Sequence, residues 1–101
     1  MAYQVEISPS AIADIENIYL WLRDEFPTKA DEWYNNLVET FLSLEKSPNR
    51  CSLALESKDF DRELRQLIYK KHRIVFGVTG DVVQIYRVRH VAQDTLTEND
   101  L

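Results

Sequence analysis

Seven cations fall between Arg62 and His90 (Arg62, Arg65, Lys70, Lys71, Arg73, Arg87 and Arg89), against two anions, Glu63 and Asp81. This local balance of +5 sits in a chain of net charge −5, so the remaining residues carry −10. Separation of sign on that scale gives a directional field in place of uniform repulsion of polyanions. A guanidinium presents a planar fork of donors suited to phosphate or carboxylate. An imidazole, titrating near ~6.5, exchanges protons at neutral pH. Arg65, Arg73, Arg87, Arg89 and His90 are therefore the residues able to hold an anion or move a proton; the bland alternative is a set of solvated strand-end charges. His72 and His90 are the only histidines, with no companion at the spacing of helical metal ligands, so neither a metal site nor a cofactor is expected. Cys51, the single cysteine, has no activating neighbour and no disulfide partner, which reads as an inert thiol in a reducing compartment.

Such residues need a framework, and the periodicity supplies one. Tyr3-Gln4-Val5-Glu6-Ile7 alternates as a half-buried strand does. Ser8 and Pro9 then suit a helix cap and first turn. Ala11, Ile15, Ile18 and Leu22 draw one apolar stripe, widened by Ile12, Tyr19 and Trp21, until Phe26-Pro27 breaks it. Thr28 is the expected cap of a second helix, with Asp31 reaching back to it. Ala30, Trp33 or Tyr34, Leu37, Phe41 and Leu44 continue that helix's stripe up to Ser47-Pro48. A linker of about five residues predicts an antiparallel helical hairpin, with Trp21 and Trp33 in or beside the core.

Residues 47–61 read as an irregular loop anchored by Leu53-Ala54-Leu55. Three strands are predicted after it, over residues 63–69, 73–78 and 82–89, joined by tight turns at Lys70-Lys71-His72 and Thr79-Gly80-Asp81. Alternation along the last strand places Tyr86 and His90 on one face, Arg87 and Arg89 on the other. The tail from Val91 to Leu101 either frays or packs as a short helix. The sum is a single domain over residues 1–101, α+β in two layers, of order β-α-α-β-β-β. In it a helical hairpin packs on a small curved, mainly antiparallel sheet. The opening residues do not form a signal peptide, and no apolar run nears the ~20 residues needed to cross a bilayer. A cytoplasmic setting is expected.

Three segments together resemble the RelE/ParE toxin family of type II toxin–antitoxin systems, over residues Tyr3 to Asp94. The opening strand followed by SPSAIADIENIYLWL is similar to the family's strand, small-residue helix start and repeated isoleucines. LRQLIYKKHRIVFGV resembles its arginine, apolar strand, turn and second strand; VVQIYRVRHVAQD resembles its last strand, ending in Val-x-His and a polar tail. The resemblance implies a growth inhibitor, related to plasmid-stabilisation toxins, that a cognate antitoxin wraps and neutralises through coupled folding. The toxin–antitoxin complex would be hetero-oligomeric, with no membrane involved. It also implies one of two targets. ParE-like members poison DNA gyrase, whereas RelE-like members cut mRNA on the ribosome without a metal, and a shared fold does not choose between them.

For a RelE-like endonuclease the matching positions are Arg73 for phosphate, His90 for proton transfer, and Arg65 one strand earlier in the same groove. For partner binding they are Arg65, Arg73, Arg87 and Arg89. The chain departs from the RNA-cutting pattern, however. Val91-Ala92-Gln93 stands where an arginine commonly follows the histidine, and Lys58 is alone where one branch has a lysine pair. Glu56 matches a general base of another branch, though a loop glutamate is ordinarily solvated. These gaps favour a ParE-like binder over the endonuclease. A degenerate, non-toxic member that keeps only antitoxin binding or self-association is the third reading.

Overall fold

Ser8 ends β1 (Gln4–Ile7) and opens α1 (Pro9–Glu25). Its hydroxyl accepts from the Ala11 amide at 3.1 Å, and Pro9 takes a first-turn position where its missing N–H is not needed. The structure, a computed structural model, describes residues 2–93, 95–97 and 100–101. α1 stops at Glu25 because Pro27 disfavours helical backbone in the residue before it, and Phe26 accordingly has φ −140° and ψ 67°. α2 (Pro27–Ser43) starts at once. One residue thus joins the helices in place of the expected linker. Thr28 is not the cap either: Phe26 holds that position with no side-chain hydrogen bond. Asp31 instead accepts from the Tyr19 hydroxyl of α1 at 2.5 Å, pinning one helix to the other.

The sheet has the order β1-β4-β3-β2, with β2 at Arg65–Tyr69, β3 at His72–Thr79 and β4 at Val82–His90. Two-residue turns, Lys70-Lys71 and Gly80-Asp81, make both hairpins. The first residue of each turn has positive φ, 54° at Lys70 and 61° at Gly80. Glycine adopts that region freely; a lysine there is strained. β1 runs parallel to β4, pairing Gln4 with Val82 through Ile7 with Ile85. The alternation of β1 could not specify this pairing, but a helical hairpin between the strands is the long crossover that a parallel pair requires. The result is the expected α+β fold, with the antiparallel meander extended by one parallel strand.

β4 carries a bulge. Phe76 pairs with Ile85 but Val75 pairs with Arg87, leaving Tyr86 as the extra residue. The bulge changes which side chains share a face. Ile74, Phe76, Val83, Ile85 and Val88 point to the helices and join Ala11, Ile15, Trp33, Leu37, Phe41 and Leu44 in the main core. Val75 and Tyr86 turn to the far side, where Ala54, Leu64 and Leu96 form a second cluster. Tyr86 therefore does not share His90's face, contrary to simple alternation. Loop anchoring is also narrower than expected: Ala54 is buried, while Leu53 and Leu55 are exposed. The tail expectation lies partly outside the described residues; among those described, Leu96 is buried. No helix among the described residues is long and apolar enough to cross a membrane.

Candidate functional site

The expected site residues divide between the two faces of the sheet. Arg73 lies opposite Ile68 on β2 and Arg89 on β4, on the face away from the helices. It is 8% exposed, and so closed off from a phosphate in solution. Its guanidinium donates to both carboxylate oxygens of Glu56, at 3.0 and 2.5 Å, and to Oε1 of Gln66 at 2.9 Å. Glu56 is 1% exposed, not solvated as a loop glutamate would be, and its Oε2 also accepts from the Leu96 amide at 2.9 Å. The Arg73 hydrogen bond outweighs the effect of burial and lowers the Glu56 carboxyl to about 2. This carboxylate is a fixed counter-ion, held anionic far below the range of a general base.

The other arginines are similarly engaged. Arg87 donates to both oxygens of Asp14 on α1, at 2.7 and 2.8 Å, and to the Asp100 carbonyl at 2.8 Å. Asp14 also accepts from the Val88 amide at 3.0 Å, serving the edge of β4 that β1 leaves uncovered beyond Ile85. Arg89 is held less firmly: its Nη1 is 3.6 Å from Asp100, and its Nε is buried without a partner among the described residues. Arg65 pairs in register with Phe76 and so lies on the helix-side face. It donates to the Cys51 carbonyl at 2.6 Å and to Glu63 at 2.7 Å. The expected common groove of Arg65 and Arg73 does not form, because an odd step along the strands separates them. Cys51 is buried, and burial raises its thiol pKa, as an inert cysteine requires.

On the helix side lies a cleft of about 700 Å³, between the end of α1, the start of α2 and the β2–β3 turn. Trp21, Leu22, Phe26 and Trp33 line it, with both histidines, and Lys29, Lys70, Lys71 and Glu32 also border it. His72 and His90 are cross-strand partners whose rings stand 5.5 Å apart at 83°. Trp33 packs edge-on to His72 at 5.7 Å. Nδ1 of His90 accepts from the Ala92 amide at 3.0 Å, which assigns the proton of its neutral form to Nε2. The same residue's amide donates to Gln93 at 2.8 Å. His90 thus fastens the strand end. Burial lowers the His72 pKa, with proximity to His90 adding to the effect. Trp33 is packed in the core as expected; Trp21 is 55% exposed and forms part of the cleft.

The structure therefore brings Arg73, Arg87 and Arg89 to one face, and His90 with His72 to the other. A phosphate-binding arginine and a proton-transferring histidine do not meet in one cavity. Among the described residues no cluster of three or more His, Cys, Asp or Glu could hold a metal. Sequence reasoning missed Asp14 as the partner of Arg87, and it named Glu56 only as a general base or a solvated loop carboxylate and not as the partner of Arg73, although both left a signal. Asp14 interrupts the buried stripe between Ala11 and Ile15, and Glu56 follows Leu53-Ala54-Leu55.

Residues 5–95 match the family model described as the ParE toxin of the type II toxin–antitoxin system, parDE. A solved structure, described as the chromosomal ParDE TA system from P. aeruginosa, is similar in fold with a TM-score of 0.74 at 24% identity. The alignment covers 89% of this chain and 97% of that one. No curated protein matches. With the family model spanning nearly all of the helical hairpin and sheet just described, the chain belongs to the ParE toxin family of type II toxin–antitoxin systems.

Proposed function

We propose that this toxin acts by binding DNA gyrase, without catalysing a reaction of its own, in the cytoplasm where a cognate antitoxin neutralises it. The observation that supports this reading is the placement of Arg73 and His90 on opposite faces of the sheet, with Arg73 committed to Glu56. In-line cleavage of RNA needs phosphate stabilisation and proton transfer at one reacting centre. Recruiting Arg73 would leave the Glu56 carboxylate buried without its counter-ion, at a cost of roughly 3–5 kcal/mol. A binder needs no such rearrangement. Arg65, Arg73 and Arg87 then serve partner binding by holding loop, helix and tail in shape. Of these four, Arg89, with one loose contact to Asp100, is the one released most readily to a partner.

Controlled expression in bacteria tests the reading. Arrested growth with filamentation and a DNA-damage response is expected, together with linear plasmid DNA accumulating when purified protein is added to gyrase. Rapid loss of translation with codon-positioned mRNA cuts would replace it with the RelE-like endonuclease. Unimpeded growth with folded protein present would replace it with the degenerate module.

A further inference from the structure

We propose that the outer flank of the helical hairpin engages the target, and that it takes a segment presenting an arginine among apolar side chains. This rests on the gyrase-binding reading and adds where, and by what chemistry, that partner is held. Between α1 and α2 lies a second hollow, of about 340 Å³, lined by Ile15, Glu16, Tyr19, Asp31, Tyr34 and Asn35. It shares no lining residue with the larger cleft, and at about 100° per residue the two open on opposite flanks of both helices. The Tyr19 and Tyr34 rings meet edge-on there, 5.9 Å apart at 70°. Asp31, accepting from the Tyr19 hydroxyl, is held against those rings. Such a lining suits a guanidinium, which stacks on aromatic rings and is neutralised by the carboxylates of Glu16 and Asp31.

The hollow is one end of a longer stripe. Tyr34, Val38 and Leu42, at four-residue steps on α2, are 45%, 39% and 52% exposed, and Ile12 on the same flank of α1 is 47% exposed. Large apolar side chains aligned over about 12 Å of helix go beyond the scattered exposure normal for a surface. Charge then selects the occupant. Glu16 and Asp31 enter no ion pair among the described residues, and Arg23, one turn beyond Tyr19, pairs with neither. The two helices together hold seven carboxylates against two cations, Arg23 and Lys29. A second copy meeting this one hairpin to hairpin, or a nucleic acid, would set negative charge against negative. A segment carrying a guanidinium with apolar neighbours complements both the carboxylates and the stripe.

Three variants of the full chain carry the test: Glu16→Gln with Asp31→Asn, Tyr34→Ser, and Val38→Ser. The probe is purified, assembled DNA gyrase, with affinity measured by calorimetry across salt concentrations. The protein encoded by the adjacent reading frame serves as the control, and circular dichroism checks the fold. Neutralising the two carboxylates should weaken gyrase binding about 30-fold and flatten its dependence on salt, which a merely structural pair would not do. Tyr34→Ser should weaken it about 30-fold and Val38→Ser about fivefold, with linear plasmid DNA and growth arrest falling in the same order. Each variant should bind the adjacent-frame protein within about twofold of the parent. Gyrase affinities unchanged in folded variants would overturn the proposal. A parallel loss of the adjacent-frame protein would also overturn it, by giving the flank to that partner. Self-association of the parent, lost in the variants while gyrase binding is unchanged, would overturn it in favour of a second copy. A parent that does not bind gyrase brings down the gyrase reading and this surface with it, whereas a binding parent with equally binding variants brings down the surface alone.

Discussion

On one face of the sheet Arg73 and Arg87 meet buried or half-buried carboxylates of their own chain, and Arg89 leans on Asp100. On the other, Lys29, Lys70 and Lys71 stand around an apolar cleft, and among the described residues no carboxylate pairs with them. The cations most conspicuous in the sequence are thus the ones already satisfied. Those that read as turn and helix-start residues are left without an ion pair among the described residues, Lys70 resting its ammonium over the Tyr69 ring. Charge in a sequence marks where counter-ions must be sought, and only the fold says whether the chain supplies them itself.

Removing a counter-ion is the strongest way to break this contrast. Glu56→Ala should destabilise the protein by roughly 3–5 kcal/mol in urea unfolding, because it strands a buried guanidinium. Pairing it with Arg73→Met should recover most of that loss; no recovery would mean the two side chains are not coupled. Next comes the tightness of the arginine face. A Cβ on Gly77 would lie 3.0 Å from the Tyr86 ring and 3.4 Å from the Glu63 carbonyl, so Gly77→Ala should cost about 1–3 kcal/mol in thermal unfolding.

The two faces should also separate by pH. The Glu56 carboxyl is lowered from 4.5 to about 2 in the folded chain, so its contribution is complete above 4.5 and lost as pH falls through about 2. Glu56→Gln should remove that acid-dependent portion of the stability profile. The His72 pKa is lowered from 6.5, so just below 6.5 the unfolded chain takes up a proton that the folded one refuses, and stability falls with pH until His72's own folded value is passed. His72→Phe should flatten this higher window and leave the lower one intact, read by unfolding midpoints across pH. The smallest effect belongs to the cleft border: Trp21→Ser should cost only about 1 kcal/mol, since the side chain is 55% exposed and loses little beyond its edge contact with Phe26.

Much of the architecture was legible because it rests on local rules. The stripe Ala11, Ile15, Ile18, Leu22 and the cap at Ser8 specify α1 by themselves, and Gly80 announces its turn. Pairing between β1 and β4 was not legible, since alternation names a strand's faces but not its neighbour. The bulge did leave a trace: Val83 and Ile85 are two apart but Ile85 and Val88 three, a break in parity that only an extra residue can reconcile. Missing it placed Tyr86 on the wrong face. The site was harder still, because the sequence displays the arginines together while the register divides Arg65 from Arg73. Lys70 gave no warning, as lysine is a poor indicator of positive φ.

The parallel pairing of β1 with β4 has a consequence during synthesis. β1 is the first strand to leave the ribosome and β4 the last, so the N-terminal strand has no partner until nearly the whole chain has been translated. Helices and the early hairpin can form as they emerge, whereas closure of the sheet must wait for its slow, long-range contact. The nascent chain therefore lacks its closed sheet until β4 has been made.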